Sequence, residues 1–329
     1  MLPKFDLYMP TDFAEACRMK AEGMKVVAGG TDVYVNMHAE KDHSTQVLDI
    51  KQLKELQGQR YITGLGLDLG ALTTHRRIEK WDIIKEHYYA LFQGCSQVGS
   101  VQIRYRATLG GNIMNGAPSA DSIGPMLVHG AQVVVTGPNG ERTVPLDKFY
   151  TGFKKFDIQS DEMLTRIKIP QPPANSGSAY YKYMRRNAMD LALLGVSAYV
   201  ELSGGIMTTA RIALTTAAQI PMRSYQAEAV LTGQQVSDEI LVKAAEAVVS
   251  EGKPRSSWRS SAEFRRRLLH DVTIVVLHEA IARAKKSLKE KAAPIPMQMY
   301  PGLEGLLPRP KEPANKKSIA KREKIVAWE

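Results

Sequence analysis

Cysteine is nearly absent from this chain: 329 residues contain only Cys17 and Cys95. Two thiols cannot build a disulfide framework, and they cannot supply the four thiolate ligands of an ordinary iron–sulfur cluster. The histidines offer no substitute. His75, His87, His129, His270 and His278 are scattered without metal-ligand spacing, so each reads as a surface group or a satisfied interior one. Any redox cofactor held within the chain is therefore expected to be organic, with no metal ligated. No apolar run approaches the roughly 20 residues that cross a bilayer. The start, Met1 to Asp6, lacks the apolar core of a secretory signal. The expectation is a cytoplasmic protein without a transmembrane segment. Neither Gly-x-x-x-x-Gly-Lys-Ser/Thr nor a Gly-x-Gly-x-x-Gly opening a helix occurs, which argues against ATPase and nicotinamide-first readings.

What is present is ordinary for a soluble globular protein: 44% hydrophobic and 24% charged residues, in a length that suits two domains. Charge is unevenly placed. Of the net +10, Lys285 to Glu329 carries +6 (11 basic against 5 acidic residues), leaving +4 for the body. A basic scaffold or nucleic-acid-binding role would use such a tail. No aromatic interleaving or recognition motif accompanies it, so binding of nucleic acid is not expected. Residues 288–329 read as a proline-containing extension without a core of its own.

Along the chain the pattern predicts an α+β class. A βαβ-like unit opens it, with strands at 4–8, 25–28 and 46–50 and a helix over 12–22 ended by Gly23. Alternation over 61–70 predicts paired strands, and residues 82–99 read as one helix. Residues 131–145 form a hairpin with Asn139-Gly140 at its tip, and 163–170 is a further strand. Gln171–Ser178 is the domain boundary. Beyond it come strands at 179–184, 196–202 and 210–215, then helices at 225–232 and 237–250. The last helix starts at a capping box, Ser260-x-x-Glu263, and carries an apolar stripe from Leu268 to Ile281.

Two glycine segments carry the chemistry. In Val27-Ala28-Gly29-Gly30-Thr31-Asp32, glycines follow a buried strand and let a ligand approach the main chain. Successive N–H groups there can form an anion nest, and Thr31 adds a hydroxyl. One such loop alone serves equally well as a tight turn. The second, Thr108-Leu109-Gly110-Gly111-Asn112, is followed by Ser119 and Asp121, acceptors suited to ribose or ribityl hydroxyls. Two donor loops about 80 residues apart can grip one extended dinucleotide between subdomains.

At these residues the sequence resembles the FAD-binding (medium) subunits of the xanthine dehydrogenase and carbon monoxide dehydrogenase family. The likeness rests on Val27–Asp32, Thr108–Asn112 and Pro118–Asp121. It continues through Phe149–Gly152, Glu162–Pro170, Lys182–Ala192 and Ser260–Arg266, in one order over roughly residues 4–287. The resemblance implies a two-subdomain FAD domain of the vanillyl-alcohol-oxidase (PCMH) type over 1–174, with subdomains of about 1–55 and 56–170. A smaller α+β domain of the CO dehydrogenase flavoprotein type then spans 175–287. It also implies that Val27–Asp32 with Thr108, Gly110 and Gly111 hold the FAD pyrophosphate. Asn112, Ser119 and Asp121 would lie near the phosphates, ribityl chain or flavin. Lys182 matches a lysine near the flavin, whereas sequence alone favours a solvated strand-edge lysine. Ile167 and Leu191 are placed beside the cofactor or in the core. Arg185, Arg186 and Asp190 read as a structural ion-pair cluster. Relatives that reduce 4-hydroxybenzoyl-CoA carry an extra cysteine-bound cluster, for which this chain has neither insertion nor cysteines.

The implied role is electron relay, with no catalytic residue in this chain. A molybdopterin-binding large subunit would oxidise the substrate, and a 2Fe–2S small subunit would pass electrons to FAD and on to an external acceptor. The complex would be a dimer of heterotrimers. The rivals are a self-sufficient flavin oxidase or dehydrogenase and, from a different class, the basic scaffold above.

Overall fold

The computed structural model describes residues 2–286, so the expectations for the basic extension fall outside the described residues. Strands Asp6–Tyr8, Lys25–Val27 and Gln46–Asp49 make a parallel sheet in which the third strand lies between the first two. Parallel neighbours need crossovers, here the helices Phe13–Ala21 and Val33–His38. The Asp12 carboxylate caps the first by accepting from the Glu15 N–H at 2.7 Å. Gly23, at φ 94°, turns the chain out of its end.

A five-stranded antiparallel sheet follows, in the order Gln59–Ile62, Gly66–Gly70, Met163–Pro170, Gln132–Gly137 and Gly140–Pro145. The helix expected over 82–99 is two, Asp82–His87 and Tyr89–Ser96. The break falls at Tyr88, whose ring is fully buried and whose hydroxyl donates to the Pro170 carbonyl at 3.2 Å. The hairpin tip also sits one residue earlier than expected, because Gly137 pairs with Gly140 and leaves Pro138-Asn139 as the turn. Proline holds a negative φ, so the left-handed residue moves on to Gly140, at φ 109°.

The third sheet, Ser176–Tyr183, Leu194–Ser203, Ile206–Thr215 and Met222–Arg223, is antiparallel throughout. It starts inside the expected linker, so the true connection is shorter. The expected stripe of the helix Ala262–Lys286 is buried, and Leu268, Leu269, Val272, Val276 and Ile281 share a core with Val196 and Val200 of the sheet. Its cap is Ser261, not Ser260: the Phe264 N–H donates to Ser261 Oγ at 3.1 Å.

One apolar core joins the first two sheets and another lies under the third. Between them runs a buried seam with polar contacts. Ser178 Oγ accepts from the Ala90 N–H and lies 3.1 Å from His129 Nε2, and the Tyr180 N–H donates to Gln93 Oε1 at 2.7 Å. His129 sits between the rings of Tyr88 and Tyr199. His75 is equally buried, with Nδ1 3.5 Å from Cys95 Sγ.

Burial, reinforced by Arg104 and Arg211 respectively, holds His75 down to about 4 and His129 down to about 3, against an ordinary 6.5. Both are neutral in the folded chain at pH 7, whereas the unfolded chain takes up protons as pH falls through 6.5. Stability is therefore fully present above that pH and lost progressively toward pH 4 and below. The unfolding free energy is expected to drop by about 2 kcal/mol per histidine between pH 7 and 5. Denaturant titration at each pH reads this. His129→Gln should flatten the slope by roughly half, and a wild-type profile already flat over that range would refute the account.

Candidate functional site

The first glycine segment leaves the sheet at Val27, whose side chain is buried with Met37 and Val47 and whose carbonyl accepts from the Ile50 N–H at 3.1 Å. Ala28–Asp32 then lead into the helix Val33–His38. Gly29 is required by contact: a Cβ there would lie 2.0 Å from the Arg106 carbonyl oxygen. Gly30 is required by conformation, at φ 76°. The carbonyls of Gly30 and Asp32 accept from Tyr34 and Asn36 at 3.1 and 2.9 Å. The N–H groups of Gly29, Gly30, Thr31 and Asp32 donate to no protein acceptor among the described residues. Four consecutive unpaired donors are the arrangement that holds an anion.

The second segment is a helix start rather than a loop. Thr108 is the N-cap of the helix Leu109–Asn115, its Oγ accepting from the Gly111 N–H at 3.0 Å. The N–H groups of Leu109, Gly110 and Asn112 donate to the carbonyls of Thr73, Ala71 and Thr108, each at 2.9 Å. The N–H groups of Leu109 to Asn112 are thus all consumed within the chain, while the Thr108 N–H and hydroxyl donate to no protein acceptor among the described residues. The expectation of two donor loops is corrected to one fully open donor loop and one whose spare donors are confined to Thr108 and the Asn112 amide. Contacts from residues 71–73 override the poor helix propensity of a glycine pair. Gly110 is needed there because a Cβ would lie 2.7 Å from the Ala71 carbonyl oxygen. Gly111 meets only Thr108 Oγ at 2.8 Å and the Ala28 methyl at 3.9 Å.

Ala28 to Asp32, Thr108, Gly110, Gly111 and Asn112 line one cavity of about 390 Å³. Its remaining wall includes Lys154, Phe156, Met163 and Leu164, none of which sequence reasoning singled out. Burial pushes the Asp32 carboxyl up, with Lys154 opposing the shift. Asn112 Oδ1 accepts from Ser122 Oγ at 2.7 Å, which fixes the amide at the cavity edge.

The other predicted residues lie elsewhere. Ile167 is fully buried in the core between its neighbouring strands, and its strand reaches the cavity at Met163 and Leu164 instead. Ser119 is half-buried and does not line the cavity. Asp121 and Lys182 face each other in the seam: Lys182 Nζ donates to Asp121 Oδ2 at 2.8 Å and to the Gln97 carbonyl at 3.1 Å. The Tyr180 hydroxyl donates to Asp121 Oδ1 at 2.7 Å. Lys182 is only 4% exposed, so the solvated strand-edge reading is overturned. Burial pushes the Asp121 carboxyl up, although Lys182 and Tyr180 oppose it. Asp190 accepts mainly from backbone, at 3.0 and 3.1 Å from the N–H groups of Arg185 and Arg186, with the Arg186 guanidinium at 3.8 Å. Leu191 is half exposed and belongs to no core.

Against this geometry, residues 3–172 match the family model described as the FAD binding domain in molybdopterin dehydrogenase. Residues 179–280 match the CO dehydrogenase flavoprotein C-terminal domain. The chain is 37% identical over 279 residues to the xanthine dehydrogenase FAD-binding subunit of Escherichia coli O157:H7, covering 84% of this chain and 96% of that one. It is 31% identical over 293 residues to the carbon monoxide dehydrogenase medium chain of Afipia carboxidovorans, covering 88% of this chain and all of the other. A solved carbon monoxide dehydrogenase from Hydrogenophaga pseudoflava superposes with a TM-score of 0.83 at 29% identity, over 86% of this chain and 99% of that one. The fold is thus that of an oxidoreductase flavoprotein component. The chain belongs to the FAD-binding subunits of the molybdenum hydroxylase family, and its cofactor is FAD.

Proposed function

We propose that this chain is the relay subunit of a molybdenum hydroxylase complex and that the glycine cavity is its FAD cradle. The observation carrying the reading is the run of unpaired N–H groups from Gly29 to Asp32 on the cavity wall. A pyrophosphate carries acceptors for such donors and no donor of its own. Facing it, Gly110 and Gly111 contribute a smooth surface without spare donors, close enough to Ala28 that a bulkier residue would narrow the cleft, and Thr108 keeps its N–H and hydroxyl free to donate. Asn112 is held by Ser122 at the edge, and Leu164 takes the apolar role first given to Ile167. Asp121 and Lys182 act through the seam, tying the strand Ser176–Tyr183 to Asp121 and to the Gln97 carbonyl. Ser119 is left out of the cradle.

When bound, FAD supplies two-electron acceptance and release. The protein's part is to hold and orient it, and no side chain is assigned a proton transfer. Electrons would arrive from a molybdopterin-binding large subunit through a 2Fe–2S small subunit and leave to an external acceptor. NAD, oxygen, a quinone or a small carrier all suit that last role. The division we adopt is a PCMH-type FAD domain over 1–174 and a C-terminal domain over 175–287. Among the described residues no helix is long and apolar enough to cross a membrane.

The test is spectroscopic. The full chain is expected to carry a flavin spectrum that the complex's substrate bleaches only with partner subunits present. A folded chain without flavin, in a complex without flavin, would sink the cradle. Turnover of an alcohol or amine by the isolated chain would instead establish the self-sufficient oxidase.

A further inference from the structure

A second cavity, of about 680 Å³, adjoins the cradle and shares Ala28, Gly29, Leu72 and Thr108 with it. Its charge is one-sided: Lys51, Arg76, Arg77, Lys80 and Arg106 line it, and no acidic residue does. Several arginines elsewhere in the protein are answered closely by carboxylates. Arg104 meets Glu79 at 2.9 Å, Arg142 meets Glu162 at 2.8 Å, and Arg166 pairs with Asp68. Here Lys51 and Arg76 have partners in Asp49 and Glu79, neither of which lines the cavity. Arg77, Lys80 and Arg106 make no side-chain hydrogen bond or ion pair among the described residues. Arg76 Nε is buried without an acceptor, and its guanidinium stacks on the Tyr105 ring at 5.5 Å. Like charges converging on one concavity repel each other, a cost that an anion relieves.

We infer that this cavity is a second anion site, distinct from the FAD cradle, for a small phosphate-bearing ligand of the nucleotide class. Its volume lies in the range of small-molecule sites rather than of a flat docking face. Leu72 and the ring of Tyr105 offer an apolar surface for a base or sugar, and the converging guanidinium groups suit phosphate oxygens. The site abuts the loop whose far side lines the cradle, so a ligand there lies next to the cofactor's pocket. The inference rests on the FAD reading only for the word "second".

The experiment uses the full chain loaded with FAD, titrated calorimetrically with inorganic pyrophosphate and with adenosine diphosphate. Saturable binding of both is expected, weakening steeply with salt. Arg77→Ala combined with Lys80→Ala should weaken it on the order of tenfold or more while flavin content stays at the wild-type level. Both side chains are exposed, so the double variant should fold. No saturable binding, or binding unchanged in the double variant, overturns the inference. Release of flavin by pyrophosphate, or loss of flavin in the variant, also overturns it, by making the cavity part of the cradle. Calorimetry reads anion binding with or without flavin, so an FAD-free protein would sink the cradle reading and leave the anion site still measurable.

Discussion

Replacing Lys182 by methionine is expected to cost the folded chain about 3–5 kcal/mol, the penalty of leaving a buried charge unanswered. The Lys182 and Asp121 side chains are 1% and 8% exposed, and the Tyr180 hydroxyl would remain as the carboxylate's one close partner. Methionine keeps the length of the lysine stem, so the loss is that of the ammonium group. The double variant Asp121→Asn with Lys182→Met should regain most of the stability, because both charges then leave together. Equilibrium unfolding of the three variants measures the coupling. A stable Lys182→Met protein would show that the pair holds nothing together. The same cycle separates two roles: a stable double variant that loses flavin would place the Asp121–Lys182 pair at the cofactor after all.

Gly29→Ala should act on flavin binding by a different route. The new methyl would lie 2.0 Å from the Arg106 carbonyl oxygen and 2.7 Å from its carbon, both backbone atoms that cannot rotate aside. The loop must lift from the segment before Thr108, and the row of N–H groups turns with it. Flavin content, read as the ratio of visible to ultraviolet absorbance, is expected to fall on the order of tenfold or more, equivalent to at least about 1.4 kcal/mol of binding. Gly23→Ala is the companion. Gly23 also has a positive φ, 94°, but its Cβ would meet nothing within 4 Å, so only the backbone cost applies and flavin should stay. Equal flavin in both variants would mean that the contact between the two segments is irrelevant to the cradle.

The strand-to-glycine turn at Val27–Asp32 was legible because apolar periodicity and glycine punctuation coincide there. Most strands and helices were legible for the same reason. The second segment was misread in conformation, since Gly110-Gly111 argues against a helix and nothing local reports the carbonyls of Ala71 and Thr73 that hold it. Side-chain direction was the other gap. Ile167 and Leu164 sit on one strand three residues apart, and only the sheet's placement tells which meets the cavity. Lys182 alternates like an edge residue, yet helix Tyr89–Ser96 packs over its strand and removes it from water. The basic cavity was missed because its cations come from three stretches of chain. The spacing Arg76-Arg77-Lys80 with Arg106 was visible, but their convergence was not.

The polar seam has a consequence for anyone wishing to borrow the cofactor unit. The strand Ser176–Tyr183 serves two masters: it edges the third sheet, and it supplies Ser178, Tyr180 and Lys182 to Asp121 and His129 in the turns flanking the helix Ile123–Val128. Cutting the gene in the Pro172-Pro173 stretch would strip Asp121 of both its donors and uncover the helix Tyr89–Ser96 in one stroke. The flavin-carrying half is not a transferable cassette. In a fusion or a minimised enzyme the two halves must travel together.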